Sequence, residues 1–503
     1  MPNKLSRRDF LKLAGLASLG AIIPPSAGLA ANLLQNDKKN VLIVVFDALS
    51  ARNISLHGYA RDTMPNLARL AGRATVYHNH YAAGNYTTPA TASLLTGTLP
   101  WTHRALRFGN RVKPELAEQN IFRAFDDYHR FGYSHNMLAD IFLKQFAENI
   151  EGYIPQERYL LVNDGVIQNT FEKDADIATV AWAREIKRQE GFSYSLFLPY
   201  IYEKRKESLI KDAGREYPYG LPAVNLDNYY VFEDCIRSLT KQAIEVPTPF
   251  FGYLHFFPPH FPYKPRREFA GAFEGDFFQA VSKPDDIFTE GDSPEKLGKW
   301  RRYYDEFILN VDYEFGRLFD ALESSGVLDD TWLVFTADHG EMFERGIQGH
   351  TTATLYQPIV RVPLLIFEPG NQTRRDVYTP TSAIDLMPTL LHLTGHEIPA
   401  WSEGTVLAPF GESSPGGVFT VQARNDPALP LVTASVALVM DNYKLVYYTG
   451  YEELGADTER ALLFDISADP EELNELSRTK RETASEMMNI VRQRLDQANE
   501  PYL

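Results

Sequence analysis

Cysteine is almost absent from this sequence of 503 residues. The single cysteine, Cys235, cannot form a disulfide within the chain, and no cysteine cluster is available to bind zinc or an iron–sulfur centre. Basic residues are fewer than acidic ones. The chain has 50 Lys and Arg against 66 Asp and Glu, which gives a formal net charge of −16. Nucleic-acid binding needs clustered basic residues, so this balance argues against a nucleic-acid partner. An anionic ligand would need a local positive element such as a bound metal ion.

An apolar run long enough to span a membrane is also missing. The stretch 13–23 is too short, since a spanning helix needs about 20 residues. It follows Ser6-Arg7-Arg8-Asp9-Phe10-Leu11-Lys12, which resembles a twin-arginine export signal, and it precedes a small-residue cleavage site at 28–30. We therefore predict that 1–31 is a signal peptide of net charge +3, whose removal leaves a chain of −19. We expect export by the twin-arginine machinery to the periplasm or the outside of the cell.

Apolar, β-branched runs predict strands that are buried on both faces. These runs are Asn40–Asp47, Pro249–His255, Trp332–Asp338 and Val362–Phe367. Helical patterns lie between them, and this alternation indicates an α/β sheet flanked by helices.

The remaining organisation is read from changes in composition. We predict a catalytic domain over 38–400 with an insertion at 141–245, which is rich in Tyr, Lys and Glu and partly covers the site. Short antiparallel strands followed by a helix at Thr479–Gln497 predict a small α+β C-terminal subdomain over 401–503.

Polar side chains follow three of the buried strands. Asp47, His255 and the pair Asp338-His339 stand where these strands end, and in open α/β sheets ligands bind at the carboxyl ends of strands. Oxygen and nitrogen ligands together suit Zn²⁺ or Mn²⁺, with Ca²⁺ possible where oxygens dominate. The alternative is a capped strand end with a surface histidine.

The segment 85–97 has the residues of a helix start and end. Thr87 or Thr88 precedes Pro89, which suits the first turn, and Gly97 closes the helix. A hydroxyl at a helix N-terminus lies where backbone N–H groups and the helix dipole stabilise an anion. The alternative is a threonine that only caps the helix.

Two further histidines lie in stiff or glycine-flanked loops. His260 stands between prolines just after the second strand run, and His350 lies eleven residues after His339. Either imidazole could face a substrate, although a packed or solvated histidine is the alternative.

Six ordered segments of the chain resemble the sulfatase-like branch of the alkaline phosphatase superfamily. They are 44–71 (VVFDALSARNISLHGYARDTMPNLARLA), 87–97 (TTPATASLLTG), 254–263 (LHFFPPHFPY), 336–341 (TADHGE) with 349–370, 382–395 and 443–476. The resemblance implies an α/β fold with a central mixed sheet flanked by helices and a small α+β C-terminal subdomain.

The resemblance also implies a set of site residues. Asp47, Thr87, Asp338 and His339 would bind one divalent ion, either Mn, Zn or Ca, and Thr87 would be the nucleophile. His260 and His350 would bind the non-bridging oxygens of the substrate or protonate the leaving group, and Asn110 would bind the oxyanion. The substrate would be a small anionic ester.

Three departures from the sulfatase pattern bear on the chemistry. Sulfatases carry Cys or Ser in a C/S-x-P-x-R motif, whereas this chain has Thr87-Thr88-Pro89-Ala90-Thr91. Asp47 is followed by Ala48 rather than a second Asp, and 132–137 lacks the Gly-Lys-Trp-His stretch. A threonine nucleophile is typical of phosphoryl-transferring relatives, so we predict an exported phosphodiesterase or phosphonate ester hydrolase that forms a phospho-threonine intermediate. The alternatives are a sulfatase without formylglycine, a phospho-group transferase and a non-catalytic binding protein.

Overall fold

The computed structural model describes residues 38–161, 180, 194–225, 228–411 and 416–503. The predicted signal peptide lies outside the described residues, and Lys39–Leu503 forms a single compact unit. In the described part of the chain, no helix has the length and apolar character needed to cross a membrane.

The central element is a mixed sheet, and the described part of the chain contributes eight strands to it. Its spatial order is β11 (Arg375–Val377), β2 (Thr75–Tyr77), β10 (Leu364–Phe367), β7 (Thr331–Thr336), β1 (Asn40–Phe46), β6 (Phe250–Phe256), β4 (His129–Ser134) and β5 (Gly152–Ile154). The strands β7, β1, β6, β4 and β5 run parallel, and β10 is antiparallel to both of its neighbours.

Strand β1 shows why this sheet is central. All seven of its residues are buried, because alternate side chains enter separate cores on the two faces of the sheet. Val44 and Phe46 belong to one core, whereas Ile43 and Val45 belong to the other. The predicted strand runs are therefore confirmed as the centre of an α/β fold.

Helices cover both faces of the sheet. In chain order they are α1 (Pro65–Leu70), α2 (Thr87–Thr96), α3 (Pro100–His103), α4 (Ile121–Ala124), α5 (Met137–Gln145), α6 (Tyr194–Ala213), α7 (Phe232–Glu245), α8 (Pro294–Ser324), α9 (Gln357–Val360), α10 (Leu386–Leu393) and α11 (Arg481–Asn499). The core that contains Phe46 includes residues of α1, α7 and α8, and the opposite core includes residues of α2, α4, α5 and α10. The result is a three-layer arrangement.

The predicted insertion, 141–245, includes parts of the main fold at both ends. Strand β5 pairs with β4, and α7 packs into the core through Phe232, Cys235 and Leu239. The segment available to cover the site therefore lies between β5 and α7. It contains α6, and much of it (162–179, 181–193 and 226–227) lies outside the described residues.

The C-terminal region forms a second, antiparallel sheet. Its order is β13 (Val418–Ala423), β14 (Ala434–Met440), β15 (Tyr443–Thr449) and β16 (Glu459–Asp465). Helix α11 packs on this sheet in a core that also contains Leu99 and Trp101 of the catalytic part. The predicted α+β subdomain is confirmed. Strand β16 was not predicted, because its first residues are charged. The short pairs β3 (His80–Tyr81) with β12 (Thr381–Ser382) and β8 (Met342–Glu344) with β9 (Ile347–Gly349) complete the described strands.

Candidate active site and metal centre

The candidate site lies at the carboxyl edge of the four central parallel strands. The register pairs Phe46 of β1 with Phe256 of β6, and Val45 of β1 with Thr336 of β7. Residues that follow these strands, such as Asp47 and Asp338, therefore meet at one edge although they are far apart in the sequence.

Asp47, Asp338 and His339 form a buried group of metal-ligating side chains. One ligand atom from each lies within 4.8 Å of the others. His339 Nε2 is 3.4 Å from Asp47 Oδ1 and 3.5 Å from Asp338 Oδ2. The structure thus brings together three of the residues that the sequence predicts.

The charges of this group influence one another strongly. Burial by itself raises the pKa of Asp47, but the imidazoles of His260, His255 and His339 hold that pKa well below its usual value. Burial by itself lowers the pKa of His339, but the carboxylates of Asp338 and Asp47 raise it to about 9. The nearby imidazoles therefore outweigh the effect of burial on Asp47 and favour its ionised form.

The donor atoms fit a divalent cation. Asp47 Oδ1, Asp338 Oδ2 and His255 Nε2 are buried and have no hydrogen-bond partner. Buried polar atoms are normally paired, and two unpaired carboxylate oxygens facing one point are explained by a cation. Carboxylate oxygen and imidazole nitrogen are ligands of Zn²⁺ and Mn²⁺.

Thr87 enters the group from the first turn of α2. This helix is buried along its whole length and ends at Gly97, whose φ of 66° suits a residue without a side chain. Thr87 is 2% exposed, and its Oγ1 lies 3.3 Å from His339 Nε2. The hydroxyl is therefore beside the metal-ligating group, as the resemblance implied.

Asn136 is a site residue that the sequence reasoning did not single out. Its Nδ2 lies 3.1 Å from Thr87 Oγ1 and also donates to Asp47 Oδ2, while its Oδ1 accepts from the Leu138 N–H at the start of α5. Asn136 reaches this edge because it follows β4, which pairs in parallel with β6, and that pairing was not apparent from the sequence.

The two loop histidines both lie beside the group. The His350 ring centroid is 4.2 Å from that of His339 and 5.0 Å from that of His260. His260 Nδ1 contacts the carbonyl oxygen of Phe261 at 2.6 Å, and His350 Nδ1 contacts Glu341 Oε1 at 3.0 Å. Each ring consequently keeps Nε2 for another partner.

Two further residues hold the His350 loop in place, and neither was singled out from the sequence. Asn85 Nδ2 donates to the carbonyl oxygens of His350 and Thr352, at 3.0 and 2.8 Å. Glu341 is fully buried, and burial raises its pKa to about 7 although His260 and His339 act in the opposite direction.

The structure places Asn110 in a half-buried turn after α3. Its Oδ1 accepts a hydrogen bond from the Arg107 N–H at 2.9 Å. Asn136, rather than Asn110, contacts the Thr87 hydroxyl, and the role predicted for Asn110 in binding the oxyanion of the substrate stays a prediction.

Comparison with known proteins identifies relatives of this chain. The sulfatase family model matches residues 39–396, and a model described as N-sulphoglucosamine sulphohydrolase, C-terminal, matches 350–500. Choline-sulfatase of Rhizobium meliloti is 26% identical, covering 88% of this chain and 83% of its own. The multifunctional alkaline phosphatase superfamily protein PehA of Trinickia caryophylli is 25% identical, covering 88% and 91%.

A solved structure shows the same fold. The phosphonate monoester hydrolase of Agrobacterium radiobacter superposes with a TM-score of 0.66 at 19% identity, covering 93% of this chain and 96% of its own. Since the sulfatase family model covers most of the chain and the buried Asp, Asp and His group lies at the expected strand ends, the chain belongs to the sulfatase family of the alkaline phosphatase superfamily and is a hydrolase of ester bonds.

Proposed function

We propose that this enzyme hydrolyses a phosphonate ester or phosphodiester through a covalent intermediate on Thr87. The observation that carries the proposal is the position of the Thr87 hydroxyl. It is buried at the first turn of α2, 3.3 Å from His339 Nε2 and 3.1 Å from Asn136 Nδ2. A capping threonine would instead bond to its own helix, and Thr87 makes no cap contact of that kind, since the N-cap residue of α2 is Tyr86.

The residues at the nucleophile position favour phosphorus over sulfur chemistry. Thr87 cannot be converted to formylglycine, and Cys235 is a buried residue of α7. Burial raises the pKa of the Cys235 thiol, so it is a packed side chain rather than a nucleophile.

The protein would prepare Thr87 in two ways. Asn136 donates a hydrogen bond to Oγ1, which stabilises the ionised hydroxyl, and the start of α2 adds backbone N–H groups. Asp47, Asp338 and His339 would hold a divalent ion, which would supply positive charge that favours the ionised hydroxyl and an anionic substrate. Oγ1, after its proton has passed to solvent water, then attacks phosphorus, and the bond from phosphorus to the leaving oxygen breaks as the new bond forms.

His260 and His350 would act on the substrate oxygens. Burial and the nearby His339 lower the pKa of His350 to about 3, so its ring is neutral in the free enzyme. A bound anion adds negative charge beside these rings and favours their protonated forms, which can donate through Nε2 to the leaving oxygen. Water then cleaves the phospho-threonine and restores the Thr87 hydroxyl.

Sulfate ester hydrolysis is the second candidate. It is favoured by the similarity to choline-sulfatase of Rhizobium meliloti, which extends over 88% of this chain. The two candidates share the metal centre and differ in the chemistry at Thr87.

One panel of substrates tests both. Aryl phosphonate monoesters, bis-aryl phosphates, aryl phosphates and aryl sulfates are compared on one preparation, with Thr87→Ser and Thr87→Ala beside the wild type. We expect the phosphonate or diester to have the highest kcat/KM, Thr87→Ser to retain turnover and Thr87→Ala to lose about 10³-fold or more. Mass spectrometry after acid quench should find a phosphoryl or phosphonyl adduct on Thr87. Faster aryl sulfate turnover, or an unchanged rate in Thr87→Ala, would reject the proposal.

We also propose that the enzyme is exported through the twin-arginine pathway. The support is the sequence at Arg7 and Arg8, with the apolar stretch 13–23 after it. Replacing both arginines by lysine should retain the unprocessed chain in the cytoplasm, whereas unchanged export of that variant would contradict the proposal.

A further inference from the structure

His255 lies beside the buried group of Asp47, Asp338 and His339 and has no role in the proposed reaction. The residue belongs to β6, is 0% exposed, and its Nε2 has no hydrogen-bond partner. That nitrogen lies 3.6 Å from Asp47 Oδ2 and 3.7 Å from Asp338 Oδ2. Both separations are too long for a hydrogen bond.

The same separations are those of ligands around one ion. Donor atoms bound at about 2.0–2.2 Å from a shared cation lie roughly 3–4 Å apart. Within the Asp47, Asp338 and His339 group the corresponding distances are 3.4 and 3.5 Å. His255 Nε2 and His339 Nε2 are therefore at similar distances from Asp338 Oδ2, while His255 lies nearest Oδ2 of Asp47 and His339 nearest Oδ1.

The other ring nitrogen of His255 is held in the way that metal-binding imidazoles usually are. Its Nδ1 lies 2.9 Å from the Tyr253 hydroxyl, which is two residues earlier on the same strand. When Nδ1–H donates to that oxygen, the lone pair of Nε2 points toward the carboxylates. A hydrogen bond on the far nitrogen fixes the tautomer and the ring orientation of metal-binding histidines.

We infer that His255 Nε2 is a further ligand of the divalent cation held by Asp47, Asp338 and His339. The donor set then has two imidazole nitrogens and two carboxylates beside Thr87, and Ala48, which follows Asp47, has no ligand atom in its side chain. A set rich in nitrogen selects Zn²⁺ or Mn²⁺ over Ca²⁺, since Ca²⁺ prefers oxygen ligands. The inference rests on the metal centre of the proposed function, but not on the identity of the ester.

Metal binding without substrate tests the inference. Chelated, metal-free protein is titrated with Mn²⁺, and the free ion is followed by electron paramagnetic resonance. His255→Gln should weaken the Mn²⁺ affinity about tenfold or more. The matched control is His80→Gln, because His80 is a buried histidine of β3 that contacts Thr381. If binding is weakened only by the loss of a ligand, the Mn²⁺ affinity of the control should be within about twofold of that of the wild type.

Electron spin-echo spectroscopy of the Mn²⁺ complex counts the bound nitrogens directly. We expect two coupled imidazole nitrogens in the wild type, one in His255→Gln and two in His80→Gln. One coupled nitrogen in the wild type, or equal affinity and spectra in His255→Gln, would overturn the inference.

A second variant changes the ion preference rather than removing the ligand. His255→Asp replaces nitrogen by oxygen, so the ratio of Ca²⁺ to Zn²⁺ affinity should rise about tenfold or more. An unchanged ratio would count against His255 as a ligand. The wild-type spectrum decides the question even if neither variant folds. If the wild-type enzyme shows two nitrogens coupled to Mn²⁺ but cleaves no phosphorus ester, the proposed substrate is rejected and His255 is still supported as a ligand.

Discussion

Asn136 Nδ2 lies 3.1 Å from Thr87 Oγ1, and the same amide donates to Asp47. This one side chain therefore links Thr87 of α2, the nucleophile in the proposed function, to the carboxylate that follows β1. A donor that already points at the hydroxyl oxygen needs no rearrangement when that oxygen becomes negatively charged.

Asn136→Ser should lower kcat about 100-fold, because serine still caps α5 but cannot reach Thr87. Steady-state kinetics and the melting temperature are measured together. The matched control is Asn120→Ser, since Asn120 caps α4 by accepting from the Arg123 N–H. The control should keep its kcat, and an equal loss in both variants would show that Asn136 acts only as a cap.

Glu341→Ala should lower kcat/KM about 10- to 100-fold, because the His350 ring loses the carboxylate that orients it. Glu341→Gln keeps a polar partner for Nδ1 and should lose less. Glu344→Gln is the control, since Glu344 is a buried carboxylate of the β8–β9 hairpin, which begins directly after Glu341, and it pairs with Lys283 at 2.8 Å. If Glu344→Gln matches Glu341→Ala, the effect belongs to the hairpin and not to His350.

Chelation should abolish turnover and lower the melting temperature, because two buried carboxylates then lose their cation. Adding Mn²⁺ back at 100 times its Kd should raise the free energy of unfolding by about 2.7 kcal/mol. Asp338→Asn should lose most of this gain, and calorimetry with and without Mn²⁺ measures it. A full gain in Asp338→Asn would remove Asp338 from the ligand set.

Asp312 makes stability depend on pH. This buried carboxylate of α8 accepts from the N–H groups of Asn66 and Leu67, both at 2.8 Å, and so caps α1 in place of a local side chain. Burial raises its pKa to about 6, although those hydrogen bonds act in the opposite direction. The folded state therefore binds a proton more tightly than the unfolded chain does.

The contribution of Asp312 to stability is present at low pH and is lost as the pH rises through about 6. Asp312→Asn removes the titratable carboxyl group. The free energy of unfolding of the wild type relative to this variant should therefore be greater at pH 5 than at pH 8. Urea unfolding at both pH values measures the difference. An equal difference at pH 5 and pH 8 would show that the carboxyl has an ordinary pKa in the folded protein.

Much of the site followed from the pattern of buried strands. Asp47, Asp338 and His339 each follow a near-continuous apolar run, and parallel strands must end at one edge of their sheet. Strand β4 reads HRFGYS and is not a near-continuous apolar run. The sequence pattern therefore did not mark Asn136, which lies just after β4, as a site residue.

The sequence by itself determined the α/β architecture, the buried strands and the chemistry available at their ends, because burial on both faces demands apolar residues at every position. Only the tertiary structure decided which further side chains contact these residues and how the side chains are oriented. Asn136 contacts Thr87, Glu341 holds His350, and His255 points its free nitrogen at two carboxylates. These contacts depend on strand register and loop packing. In two of the three cases they join residues 49 or more positions apart, so no periodic pattern in the sequence indicates them.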